Sequence, residues 1–149
     1  MEYQSYCDKL QEQFLKSEYI SIAHSSYKML FAPKKSINGM RVFCFIVNGN
    51  KASEKLCRDL AKYAMSTAFY DDCSNQLKTA VLPIFIGEHL SDSTISFINS
   101  RAFKENGAYI LPTAFDLSQQ NLLCCESFPL LGSSQFKQLL QFAKKTLNP

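Results

Sequence analysis

Carboxylates gather in two places along this chain, Asp71-Asp72 and the cluster Glu88, His89 and Asp92. The second follows an apolar run, Ala80 to Ile86, and the far ends of such strands are where α/β proteins place ligand groups. Two acids with an imidazole between them could serve acid–base or hydrolytic work, so Glu88, His89 and Asp92 form a candidate small site. The plainer account is structural. An aspartate in the first turn of a helix complements its dipole, and Asp71-Asp72 lies in a polar stretch that reads as a solvated loop.

His24 and His89 each stand alone in their segments, and no H-E-x-x-H or C-x-x-C spacing is present. No metal and no cofactor is expected on that basis. The cysteines stand at 7, 44, 57, 73, 124 and 125. A nucleophilic pair would need Cys7 or Cys124 to meet His24 or His89, which no spacing demands. Cys124-Cys125 could form a strained vicinal disulfide or a redox pair, but the flanking Leu122 and Leu123 favour buried, inert thiols. Asn48-Gly49-Asn50-Lys51 could cradle a phosphate between a strand and a helix. It lacks the glycine-rich patterns that do so, and a plain turn with an Asn cap accounts for it.

Charge is more informative in its distribution than in its total. The net charge of +3 is too small to imply a polyanionic partner. Yet no Asp or Glu occurs from Tyr19 to Ser53, whereas Lys28, Lys34, Lys35, Arg41 and Lys51 all do. Lys28, Lys34, Lys35 and Arg41, interleaved with Tyr27 and Phe31, are the candidate binding residues for single-stranded nucleic acid. Edge-strand lysines also serve to block aggregation, which is the competing account.

The 149 residues suit one domain over 1–149 with a core that needs no metal or disulfide. Hydrophobic residues make up 46% and charged residues 19%, a globular balance that argues against disorder. Met1 is followed by Glu2 and a polar amphipathic stretch rather than a basic and then apolar region, and no apolar run is long enough to span a bilayer. A soluble, cytoplasmic protein with reduced cysteines and no membrane partner is expected.

Tyr3, Tyr6, Cys7, Leu10 and Phe14 recur at helical spacing, predicting a helix over 2–17. Two β-rich stretches, Tyr19 to Ala23 and Tyr27 to Phe31, precede Asn38-Gly39, a hairpin signal, and the apolar strand Val42 to Val47. Pro33 makes the strand before that turn an edge or ends it there. Asn50 would cap a helix lined by Leu56, Leu60, Tyr63, Ala64 and Thr67. Ala80 to Ile86 forms the next strand. Ser91 opens a helix, with Leu90 and Ile95 as a hydrophobic staple, that runs through Ile98 and Ala102 and ends at Asn106-Gly107. Ala108 to Leu111 is a short strand, Thr113 to Gly132 is irregular, and Phe136, Leu139, Leu140, Ala143 and Leu147 mark a last helix capped by Ser133 or Ser134. The expected fold is α/β, a mixed β-sheet flanked by helices in the order α-β-β-β-α-β-α-β-α.

A helix, three strands that include an Asn-Gly hairpin, a helix and a further strand resembles the core of the restriction-endonuclease-like, or PD-(D/E)XK, superfamily over residues 2–86. The resemblance implies carboxylates on the hairpin strands that hold Mg²⁺ and a lysine that assists the attacking water. Here the third strand reads Arg41-Val42-Phe43-Cys44-Phe45-Ile46-Val47, and neither it nor the strand before it carries an acid. The resemblance therefore points to a member without the catalytic residues.

These observations favour a non-enzymatic domain that binds another macromolecule, a protein, through apolar surface on Leu117 to Leu131. The alternatives are a catalytically degenerate nuclease-like or nucleic-acid-binding protein and a small-ligand or hydrolytic site at Gly87 to Asp92.

Overall fold

The computed structural model describes residues 1–16, 19–24, 27–33, 39–49, 52–68 and 78–148. Helix α1 (Tyr3–Lys16) leads into strands β1 (Tyr19–His24), β2 (Tyr27–Pro33) and β3 (Met40–Asn48). Helix α2 (Glu54–Ala68), strand β4 (Lys78–Gly87) and helix α3 (Asp92–Ile98) follow. Four short strands, β5 (Phe103–Glu105), β6 (Ala108–Ile110), β7 (Thr113–Asp116) and β8 (Asn121–Cys124), precede helix α4 (Ser133–Thr146). The predicted class holds: the protein is α/β, with one mixed sheet and helices on both of its faces.

The first three strands form an antiparallel meander, β1 against β2 and β2 against β3. Strands β2 and β3 pair over Met29↔Ile46 to Phe31↔Cys44, and residues 34–38, including Asn38 of the predicted hairpin signal, lie outside the described residues. Strand β2 ends at Pro33, where a missing N–H ends a ladder. After α2 crosses over, β4 pairs with β3 in parallel over Met40↔Lys78 to Asn48↔Ile86.

Strand β4 is buried from Thr79 through Ile86, as a strand covered on both faces must be. Ala80, Leu82, Ile84 and Ile86 join a core with Tyr6, Leu10 and Phe14 of α1 and Phe136, Leu139 and Ala143 of α4. Val81 and Phe85 face the other way, with Cys57, Leu60 and Ala64 of α2 and Ile98 of α3. Each fully buried Leu, Ile, Val or Phe contributes roughly 1.5–3 kcal/mol, so this run fixes the position of both helix layers.

Pro83 stands in the middle of β4 and shapes everything after it. Val81 O accepts from Leu111 N and Gly87 O from Leu117 N, so the backbone groups of residues 81, 83 and 87 point away from β3. At Pro83 that side has no N–H to offer. The neighbouring strand is accordingly broken at Leu111-Pro112: β6 pairs with Ala80 and Val81, and β7 pairs with Ile84 through Gly87. The buried Thr113 hydroxyl donates to the Pro83 carbonyl at 2.8 Å and covers the gap.

Several local expectations change. The third helix stops at Ile98 with Asn99 as its C-cap, and Ala102 is buried outside it. Asn106-Gly107 does not end a helix; it makes the two-residue turn of the β5–β6 hairpin, with φ of 49° and 85° between the paired Glu105 and Ala108. Positive φ at both positions is what a type I′ hairpin requires, and Asn-Gly supplies it. Thr113 to Gly132 is not irregular throughout, since β7 and β8 pair from Thr113↔Cys124 to Asp116↔Asn121. Helix α2 is capped by Ser53, whose Oγ accepts from Leu56 N at 3.1 Å, while Asn50 lies outside the described residues. Helix α4 starts from Gly132 without a side-chain cap, whereas Ser91 caps α3 as predicted, accepting from Thr94 N at 3.2 Å.

Cys7, Cys44, Cys57, Cys124 and Cys125 are free thiols. Burial pushes Cys44 up, and Cys57 rises to about 12 through burial and the nearby Glu54. The unfolded chain ionises such a thiol near 9.0 and the folded chain does not, so Cys57 stabilises the fold fully below that pH and loses its contribution between about 9 and about 12.

Two outcomes follow from this packing. Thr113→Val strands the Pro83 carbonyl and should lower unfolding free energy by about 1–3 kcal/mol in urea titrations, while Thr113→Ser retains most of it. Equal stability of the two variants would contradict the hydroxyl's role. Stability should also fall above pH 9 by up to about 1.4 kcal/mol per unit for each buried thiol, and Cys57→Ala should flatten that slope.

Candidate functional site

The parallel strands end together, because the register sets Asn48 beside Ile86 and Gly87 beside Asp116. Gly49 N donates to Ile86 O at 2.8 Å and Leu117 N to Gly87 O at 2.9 Å, tying the three strand ends into one rim. Glu88 and His89 are exposed on that rim, and Asp92 is exposed in the first turn of α3.

Asp116 is the rim residue that sequence reasoning passed over. Its carboxylate accepts from Ser118 N at 2.9 Å, Ser118 Oγ at 2.7 Å and Gln119 N at 3.0 Å. Partial burial works to raise its pKa, but these hydrogen bonds and the nearby His89 hold it below the ordinary carboxylate value. The Asp-x-Ser pattern is a signal for such a turn and could have been read from the sequence. Its carboxylate is already occupied by the turn that it closes. No group of three or more His, Cys, Asp or Glu side chains that could hold a metal forms among the described residues.

The basic candidates divide. Arg41 is buried, at 8% exposure, near the start of β3. Lys28 lies on β2, where its backbone is described and its side chain is not, and Lys34 and Lys35 lie outside the described residues. Asp71, Asp72 and Cys73 also lie outside them.

Three open depressions mark the described surface. One of about 400 Å³ lies between α2 and the β5–β6 turn, lined by Ala61, Lys62, Met65, Ser66, Glu105 and Asn106. One of about 360 Å³ is bordered by Glu54, Phe97 and Arg101. A third, of about 390 Å³, runs along β8 past Cys124, Glu126 and Lys144. There Lys144 Nζ donates to Glu126 at 2.7 Å, and both side chains are more than half exposed, so the pair adds little stability. Burial, with the Lys144 charge opposing it, pushes the Cys124 thiol up to about 11, so it is protonated at neutral pH and a poor nucleophile.

The apolar expectation for Leu117 to Leu131 resolves residue by residue. Leu117 and Cys125 are buried, and Leu122, Leu123 and Phe128 are half-buried. Leu130 and Leu131 are the exception, at 92% and 83% exposure. They sit on the turn that leads into α4, and the chain before it is tied to neighbouring segments. Ala102 N donates to Ser127 O at 2.9 Å, Cys125 Sγ donates to Ser100 O at 3.1 Å, and Ser133 N donates to Leu130 O at 3.4 Å. Phe128 stacks on Phe136 with ring centroids 5.7 Å apart. Gly132, at φ +86°, follows the leucines and lies against Tyr109, where an added Cβ would approach the ring to 2.8 Å.

No protein-family model and no curated protein matches the chain. No helix among the described residues is long and apolar enough to cross a membrane.

The rim makes one measurable statement. Asp116 should titrate below 3.8 in the folded chain when its carboxyl carbon is followed by NMR. Because its folded pKa is depressed, the stability it contributes is present above 3.8 and is lost as pH falls through the folded value. A midpoint at or above 3.8 would mean that the Ser118 and Gln119 hydrogen bonds do not form in solution.

Proposed function

We propose that this domain is a non-enzymatic binding module whose partner is another protein. The observation that carries the reading is the pair Leu130 and Leu131, held almost fully in water on a braced turn. Two adjacent leucines on an ordered tip contribute hydrophobic free energy only when something covers them, at roughly 1.5–3 kcal/mol per fully buried side chain. The neighbouring aromatics are turned inward instead: Phe136 is fully buried and Tyr109 nearly so. On the strand-end rim, by contrast, the Asp116 carboxylate is taken up by Ser118 and Gln119, and no group of three or more His, Cys, Asp or Glu side chains that could hold a metal forms among the described residues.

A second reading is a nuclease-like relative without catalytic residues. What supports it is the order of helix, antiparallel three-strand meander, helix and parallel strand. On β3 the residues that pair with β2 are Cys44, Phe45 and Ile46, all fully buried and apolar, so a domain of this kind would bind without cleaving.

A photo-reactive residue at position 131 of the full chain, compared with one at exposed Lys62, tests the leading reading in cells that make the protein. Position 131 should give a discrete protein adduct that Leu130→Ser removes, while that substitution moves stability by less than about 0.5 kcal/mol. Identical adducts from both positions, or adducts only to nucleic acid, would overturn it.

A further inference from the structure

Lys78 opens β4 and Lys104 lies on β5, twenty-six positions apart in sequence, yet both reach the same aromatic ring. The Lys104 ammonium lies 4.6 Å from the Tyr109 centroid and the Lys78 ammonium 5.8 Å. Gly132 packs on that ring too, and Phe136 meets it edge-on at 5.2 Å. Tyr109 therefore joins two ammonium groups to the turn that carries Leu130 and Leu131.

Neither ammonium meets a carboxylate among the described residues. The acids on the adjoining segments are already engaged, Glu105 with Arg58 at 3.2 Å and Glu126 with Lys144 at 2.7 Å. Lys78 Nζ has a neutral partner, lying 2.8 Å from the Gln135 amide oxygen once that amide is oriented to satisfy both of its ends. Both lysines are exposed. A cation held over a ring keeps its position and retains donors for a further acceptor.

We propose that the partner presents an acidic, apolar peptide segment, whose apolar side chains cover Leu130 and Leu131 while its carboxylates meet Lys78 and Lys104. This inference rests on reading the leucine turn as the contact surface and adds the charge of what covers it. Two ammonium groups fixed on one ring suit discrete carboxylates at set spacing. A lipid surface gains only about 1 kcal/mol from each nearby lysine, and two such charges with two leucines make a weak anchor.

The test is selection from displayed random short peptides on the full chain, followed by affinity measurement on synthetic copies of the sequences recovered. Peptides that combine Asp or Glu with apolar residues are expected, with binding lost on Leu130→Ser/Leu131→Ser and weakened by rising salt. Lys78→Gln/Lys104→Gln should weaken them about tenfold, while Lys78→Arg/Lys104→Arg keeps them. Recovery of neutral or basic peptides that need the leucines but ignore both lysines overturns the inference and leaves the contact surface standing. Recovery of no leucine-dependent peptide removes both. Leucine-dependent sedimentation with phosphatidylserine vesicles, at wild-type strength, would assign the turn to a membrane and also overturn the proposal.

Discussion

A proline in the centre of a strand buried on both faces is the constraint around which the C-terminal half of this protein is arranged. Pro83 cannot donate to a neighbour, and a buried carbonyl without a partner costs about 1–3 kcal/mol. The chain meets both conditions at once by interrupting the adjacent strand at Leu111-Pro112 and placing the Thr113 hydroxyl on the Pro83 carbonyl. The break has a consequence beyond local satisfaction. It turns one long neighbour into two short ones that pair with different partners, β6 with β5 and β7 with β8. The β5–β6 arm presents Tyr109 and Lys104, and the chain leaving β8 carries Leu130 and Leu131. The two arms meet where Gly132 lies against Tyr109.

The helix layer opposite α2 and α3 locks those arms in place. Tyr6 of α1 stacks on Phe115 of β7 with centroids 3.9 Å apart, and its hydroxyl donates to the Leu147 carbonyl at 2.7 Å in a buried setting. A single side chain therefore joins the first helix, the seventh strand and the end of the last helix. At the other end of α4, Phe136 lies between the rings of Tyr109 and Phe128. The turn before α4 is closed by Ser133 N donating to Leu130 O. Its leucines, Leu130 and Leu131, stay almost fully exposed.

Elements with a long period were legible in the sequence, because a buried face repeats. Of the residues predicted to line α1, Tyr6, Cys7, Leu10 and Phe14 are buried and Tyr3 is half-buried, and in α2 Leu60 and Ala64 are buried while Leu56 and Tyr63 are half-buried. Of the four short strands only β6 was legible, as Ala108 to Leu111; β5, β7 and β8 were not, since three or four residues carry no period. Asn106-Gly107 was misread for a related reason: both a helix end and a hairpin turn use positive φ, and only the pairing of Glu105 with Ala108 distinguishes them. Helix α4 has two serines at its start, yet Gly132 takes the cap position because Tyr109 leaves no room for a Cβ there. The cluster at Tyr109 could not be read in advance, as it joins Lys78, Lys104 and Gly132 through contacts that no spacing encodes.

At the ends of β3, β4 and β7 the acids stand on an exposed rim. Ligand crevices in open parallel sheets arise where strand order reverses, so that successive crossover helices fall on opposite faces and part. Here the order runs from β3 to β4 to β6 and β7 without reversal, and α2 and α3 pack on the same face. Glu88, His89 and Asp92 are exposed at the surface. Asp116, which shares that rim, closes its own turn through Ser118 and Gln119. Apolar and cationic groups come together instead at the corner formed by Tyr109, Lys78, Lys104 and the exposed Leu130 and Leu131.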